Sequence, residues 1–188
     1  MTASSPAPAP AARPLLFLDV DGPLIPFGRP EGYPTYEDDR GLRAPSTNPL
    51  LARLNPAYGP RFTALARDCD LVWATTWMEE ANECVAPRLG LPQLPVVHWP
   101  DESSEPGSES DLARADARRG LHWKTRVLLA YAAGRPFAWL DDEIRAVDRH
   151  WVADHSPAPA LLHQVNPREG LVEMDFAVVA AWLRGAGR

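Results

Sequence analysis

Five short, nearly continuous apolar runs punctuate the chain, at Leu15–Val20, Leu71–Ala74, Leu94–His98, Phe137–Leu140 and Leu161–Val165. Unbroken apolar character over four to six positions predicts strands covered on both faces. Between them the period changes to that of a helix. Met78, Ala81, Val85 and Leu89 share one face, as do Trp123, Val127, Leu128 and Tyr131. Ile144, Val147 and Trp151 follow the fourth run, and Met174, Val178, Val179, Trp182 and Leu183 form a C-terminal stripe. A weaker helical pattern covers Ala57 to Arg67. Strands alternating with helices predict an α/β fold, a three-layer sandwich with a five-stranded parallel sheet between helices.

Two segments interrupt this rhythm. Residues 22–54, rich in Pro, Gly and charge, predict a long loop or small flap after strand 1. Residues 101–119 open with DESSEPGSESD, five acids and no base, and predict an acidic, solvated loop. The first 13 residues, MTASSPAPAPAAR, lack the apolar stretch of a signal peptide and predict a disordered Pro/Ala tail. Residues 14–188 then form a single domain. No run approaches a membrane span, so the expectation is a cytoplasmic protein without a membrane partner.

Ligands of an open parallel sheet bind beyond the carboxyl ends of its strands, so the residues that follow each run carry the chemistry. The first run leads into Asp19-Val20-Asp21-Gly22, the second into Thr75-Thr76, and the fourth into Asp141-Asp142. Gathered at one end, such carboxylates repel one another unless a cation sits among them. With oxygen donors and no His or Cys cluster, that cation is expected to be Mg²⁺. An aspartate beside it can attack phosphorus while a second carboxylate moves the proton. A threonine hydroxyl can hold a phosphate oxygen, and Gly22 suits a tight turn where backbone meets ligand.

Composition sharpens one position. Of 19 basic residues, 18 are arginine, and Lys124 is the lone lysine. In a chain so biased towards Ala, Pro and Arg, arginine replaces lysine wherever charge alone matters, which marks Lys124 as a residue whose compact ammonium is needed. The net charge of -6 weighs against a broad electrostatic grip on nucleic acid. Cys69 and Cys84 fit neither a disulfide framework nor a zinc spacing and are expected to be reduced, buried thiols. The five histidines have no ligand spacing. Trp73, Trp139, Trp151 and Trp182 read as packing residues. Trp77, beside the threonines, and Trp123, beside Lys124, stand where an indole could border the pocket and stack on a base or sugar, although packing is the simpler reading.

Taken in order, FLDVDGPL, LVWATTW, Lys124 and FAWLDDE resemble the four motifs of the haloacid dehalogenase (HAD) superfamily over about residues 14–185. The resemblance implies a Rossmann-like fold and a Mg²⁺-dependent phosphatase acting through an aspartyl-phosphate. On it, Asp19 is the nucleophile and a metal ligand, and Asp21 is the general acid/base that also binds metal through its backbone carbonyl. Thr75 holds the phosphate, with Thr76 the less favoured holder, and Lys124 stabilises the phosphoryl group. Asp141 is a carboxylate ligand of the metal, and Asp142 acts through a metal-bound water. Gly22 and Trp77 join Thr75 and Thr76 as substrate-binding candidates. Pro23 departs from the small polar or β-branched residue common after that glycine. Dehalogenase members lack the second aspartate, so Asp21 favours phosphate chemistry. Neither gap between motifs is long enough for an added domain, which implies a minimal cap and an open site of the kind associated with large phosphorylated substrates or with a partner that closes the pocket. Two alternatives stand beside phosphomonoester hydrolysis: processing of RNA or DNA ends, which the net charge disfavours, and a non-catalytic binding module, which the intact Asp19, Asp21, Lys124 and Asp141 disfavour.

Overall fold

A computed structural model of the protein describes residues 12–36, 48–100 and 109–186. Four strands, β1 (Leu15–Leu18), β2 (Asp70–Trp73), β3 (Phe137–Asp141) and β4 (Ala160–Gln164), form one parallel sheet in the order β2-β1-β3-β4. Six α-helices accompany them: α1 (Tyr58–Leu65), α2 (Ala86–Leu89), α3 (Glu109–Arg119), α4 (Trp123–Ala132), α5 (Ala146–His155) and α6 (Glu173–Ala186).

The alternation of side chains along the strands divides the core in two. Leu16 and Leu18 of β1, with Leu71, Trp73, Ala138 and Leu140, face one layer with buried residues of α1, α2 and α6. Leu15 and Phe17, with Val72, Phe137 and Trp139, face the other with residues of α4 and α5. Every residue of β1 and β3 is buried, which is why their sequence shows no polar alternation. Trp73 and Trp139 are wholly enclosed, as packing residues should be.

Two expectations need correction. The sheet has four strands, because Leu94–His98 makes only a bridge, Trp73 to Val96. Val97 N donates to Trp73 O and Trp73 N to Pro95 O, but Pro95 has no N–H to extend the ladder. The backbone of Leu94 bonds instead to the Asn82 side chain, which accepts from its N–H and donates to its carbonyl, both at 2.8 Å. Second, residues 109–119 of the expected acidic loop form α3; Ala and Arg dominate its last turns, and Asp116 anchors it through a two-pronged contact with Arg126 of α4. Residues 101–108 lie outside the described residues. The small flap expected over 22–54 is not shown; among the described residues of that segment Leu24, Ile25, Leu51 and Leu54 are buried in the core. Residues 37–47 of that segment, and 1–11 of the expected tail, lie outside the described residues.

Candidate active site

The carboxyl ends of β1, β2 and β3 meet in one place. Leu18 O accepts from Ala74 N at 2.8 Å, and Asp19 N donates to Leu140 O at 3.1 Å. These bonds set Asp19 beside Thr75 and Asp141, the residues that leave the adjacent strands. After Asp19 the chain turns sharply. Val20 O accepts from both Leu24 N and Ile25 N, and Gly22 N donates to Ile25 O. Gly22 has φ +83°, and a Cβ there would stand 2.5 Å from Cγ of Asp142. Glycine is thus needed twice, for its backbone angle and for the space that the Asp142 carboxylate fills.

Lys124 enters from the first turn of α4. Its Nζ lies 2.8 Å from Oδ2 of Asp19 and 2.8 Å from Oδ2 of Asp141. The lysine is 3% exposed, Asp19 8% and Asp141 not at all, so the three charges interact with little screening by water. Asp141 is further fixed by Glu143 N, which donates to its Oδ1 at 2.8 Å, and by the indole N–H of Trp139 at 3.3 Å. Val20 N donates to Oδ1 of Asp19 at 2.8 Å.

Asp19, Asp141 and Asp142 each offer a carboxylate oxygen within 4.8 Å of the others. One ammonium cannot balance three carboxylates, and burial adds to the cost of charging them. Burial pushes Asp19 up to about 7, with the charge of Asp141 adding to it, although Lys124 pulls the other way. Burial and the neighbouring Asp141 push Asp142 up to about 6. On Lys124, burial favours the neutral amine, but the two carboxylates outweigh it and raise the pKa. Three converging hard oxygen donors with excess negative charge fit a Mg²⁺ ion. A second grouping, His122, Asp141 and Glu143, needs no metal. His122 Nδ1 accepts from Lys124 N at 3.1 Å, so Nε2 carries the proton and donates to Glu143 Oε2 at 2.9 Å.

Oδ2 of Asp21 accepts the indole N–H of Trp77 at 2.9 Å. Thr75 is fully buried, and its Oγ1 accepts from Trp77 N at 3.3 Å, whereas Thr76 is exposed. Trp77, a substrate-binding candidate from the sequence, thus touches two other candidates, Asp21 and Thr75.

Several contributors escaped the sequence reading. Asp148, wholly buried in α5, accepts from His122 N, Thr125 Oγ1 and Arg145 N at 2.7–2.8 Å. It thereby ties the start of α4, and Lys124 with it, to α5. His122 caps α4 with its ring, a role usually taken by Ser, Thr, Asp or Asn. Trp99 donates its indole N–H to Thr75 O at 3.1 Å. Only the position of Asp148, three residues after Arg145 at a helix start, offered a signal.

A parallel sheet that presents Asp-x-Asp after β1, a threonine after β2, a helix-borne lysine and an acidic pair after β3 defines a HAD-superfamily domain. The chain belongs to the family described as the HAD domain in Swiss Army Knife RNA repair proteins, whose model matches residues 15–176. Comparison with curated proteins and with solved structures finds no significant match. Among the described residues, no helix is long and apolar enough to cross a membrane.

Proposed function

We propose that the protein is a Mg²⁺-dependent phosphatase that removes a terminal phosphate monoester from a nucleic-acid end, RNA foremost. The observation that carries this reading is Lys124 bridging Asp19 and Asp141 within a three-carboxylate cluster, in a member of an RNA-repair family. The net charge of -6 weighs against nucleic acid, and membership of an RNA-repair family weighs for it. A single catalytic domain over residues 14–188, with a minimal cap, an open site and a cytoplasmic setting, goes with it.

In the proposed reaction the Asp19 carboxylate attacks phosphorus and the bond from phosphorus to the leaving oxygen breaks. Asp21 gives that oxygen its proton, which leaves an aspartyl-phosphate on Asp19 and a free hydroxyl on the product. Asp21 then takes a proton from water, whose oxygen attacks the phosphorus; inorganic phosphate leaves and Asp19 is regenerated. Lys124 offsets the charge on the transferring group, and Thr75, with Thr76 nearby, holds its oxygens. Asp19, Asp141 and Asp142 would hold Mg²⁺, with the Asp21 carbonyl as the family pattern has it. The ion supplies charge neutralisation that lets a dianion approach carboxylates. Trp77, whose N–H reaches Asp21, keeps the proton carrier oriented.

The test is phosphate release from 3′- and 5′-phosphorylated RNA and DNA oligonucleotides and from sugar phosphates, with Mg²⁺ or with chelator. Release from an oligonucleotide end that needs Mg²⁺ and is lost in Asp19→Asn is expected. Undiminished hydrolysis by Asp19→Asn would exclude the mechanism, and turnover of sugar phosphates alone would exclude the substrate class.

A further inference from the structure

Two tryptophans bond to Thr75, and a third packs against one of them. Trp77 reaches it through its backbone N–H and Trp99 through its indole N–H. Trp123 packs edge-on against Trp99, with ring centroids 4.7 Å apart at 74°. The Lys124 ammonium lies 5.5 Å from the Trp123 ring centre, so this indole borders the reaction centre. Its orientation is fixed on two sides, by Trp99 and by the His122 ring stacked at 5.6 Å. Yet Trp123 is 48% exposed, unlike the enclosed Trp73 and Trp139. A half-open indole held beside a phosphate site offers a π-face on which a nucleic-acid base can stack.

We infer that Trp123, held by Trp99 and His122, is a stacking subsite for the base of the nucleotide that carries the phosphate. The inference rests on the phosphatase reading above and adds the subsite that selects nucleic-acid ends. It also accounts for recognition by an acidic chain. With a net charge of -6, little affinity can come from counterion release along a phosphate backbone. A base offers a π-face and no charge, so stacking is insensitive to that surplus and tolerant of sequence. Trp123 adjoins Lys124 in the chain, which puts base and phosphate sites side by side, as a nucleotide requires.

The experiment compares two oligonucleotides with the same terminal phosphate, one with a base on the last sugar and one abasic there, together with the matching mononucleotide. Turnover gives kcat/KM, and anisotropy on the Asp19→Asn protein gives binding without turnover. The wild type is expected to prefer the base-bearing end. Trp123→Ala should shrink that preference roughly 5- to 150-fold, and Trp123→Tyr should restore most of it. The mononucleotide, which carries the same base, should suffer the same Trp123→Ala loss as the base-bearing end; a mononucleotide untouched by Trp123→Ala would overturn the inference. Equal use of base-bearing and abasic ends by the wild type would overturn it. So would a Trp123→Ala loss that falls equally on both ends, because that marks a structural role. Base-dependent binding without turnover would sink the phosphatase reading and keep the subsite.

Discussion

Removing the charge of Lys124 without its stem, as in Lys124→Met, asks the structure a quantitative question. The ammonium is the contact at 2.8 Å shared by two carboxylates that are 8% and 0% exposed. Deleting one partner of a buried pair costs about 3–5 kcal/mol, because the other charge is left uncompensated. For a domain of this size that is a fall in Tm of about 6–20 °C. The pH dependence follows from the pKa directions. The pKa of Lys124 is raised, so its contribution is complete below its ordinary value and is lost only in strong alkali. Asp19 has a folded pKa of about 7 against 3.8 ordinarily, so its charged form burdens the fold as pH rises through that window. Below about pH 6 Asp19 takes a proton and needs its counter-ion less. The penalty of Lys124→Met should therefore be larger near pH 8 than near pH 5.5 in metal-free buffer, and Mg²⁺ should recover part of it. Thermal unfolding of wild type and variant at both pH values reads this directly. A Tm within about 2 °C of wild type at the higher pH, about 1 kcal/mol at most, or a larger loss at the lower pH, would refute the reasoning. Lys124→Arg keeps the charge and should keep the fold, yet lose about 100-fold or more in turnover, because the broad guanidinium cannot sit between the carboxylates.

Three further substitutions probe the supports of the site. Trp77→Phe removes the N–H that holds Asp21 and should lower kcat by about 10-fold or more with little change in KM, measured by steady-state phosphate release. Gly22→Ala forces a side chain into a left-handed turn and against the Asp142 carboxylate; a loss of about 1–3 kcal/mol and a smaller Mg²⁺-induced rise in Tm are expected. Asp148→Asn puts an amide where three donors converge; urea unfolding should show a loss of about 1–3 kcal/mol, with kcat falling as well because Lys124 shifts.

Four strands and the convergence of Asp19, Lys124, Asp141 and Asp142 were legible because both depend on local signals. Buried parallel strands announce themselves as unbroken apolar runs, and acids placed directly after them have one place to go. The fifth strand misled because Leu94–His98 has the right polarity but the wrong backbone: Pro95 and the capture of Leu94 by Asn82 are tertiary and steric matters that polarity does not report. α3 was hidden by the acids that precede it, although its ending in Ala and Arg favours a helix. The partners that aim the site, Asp148, His122 and Trp99, act across elements, and no spacing in the chain links His122 to Glu143 or Trp99 to Thr75.

Sheet order also dictates when the centre comes into being. β1 lies between β2 and β3, so Asp19 is made 122 residues before Asp141, which lies on the strand that completes its site. Lys124 and Asp141 belong to one helix–strand unit and can meet without β1, at a lower loop-closure cost than the long-range pairing. Refolding should therefore be slowed by Lys124→Met more than by Asp19→Asn, and the reverse ranking in stopped-flow measurements would contradict this order. On this order the Asp19 carboxylate docks against an Asp141 that already shares the Lys124 ammonium.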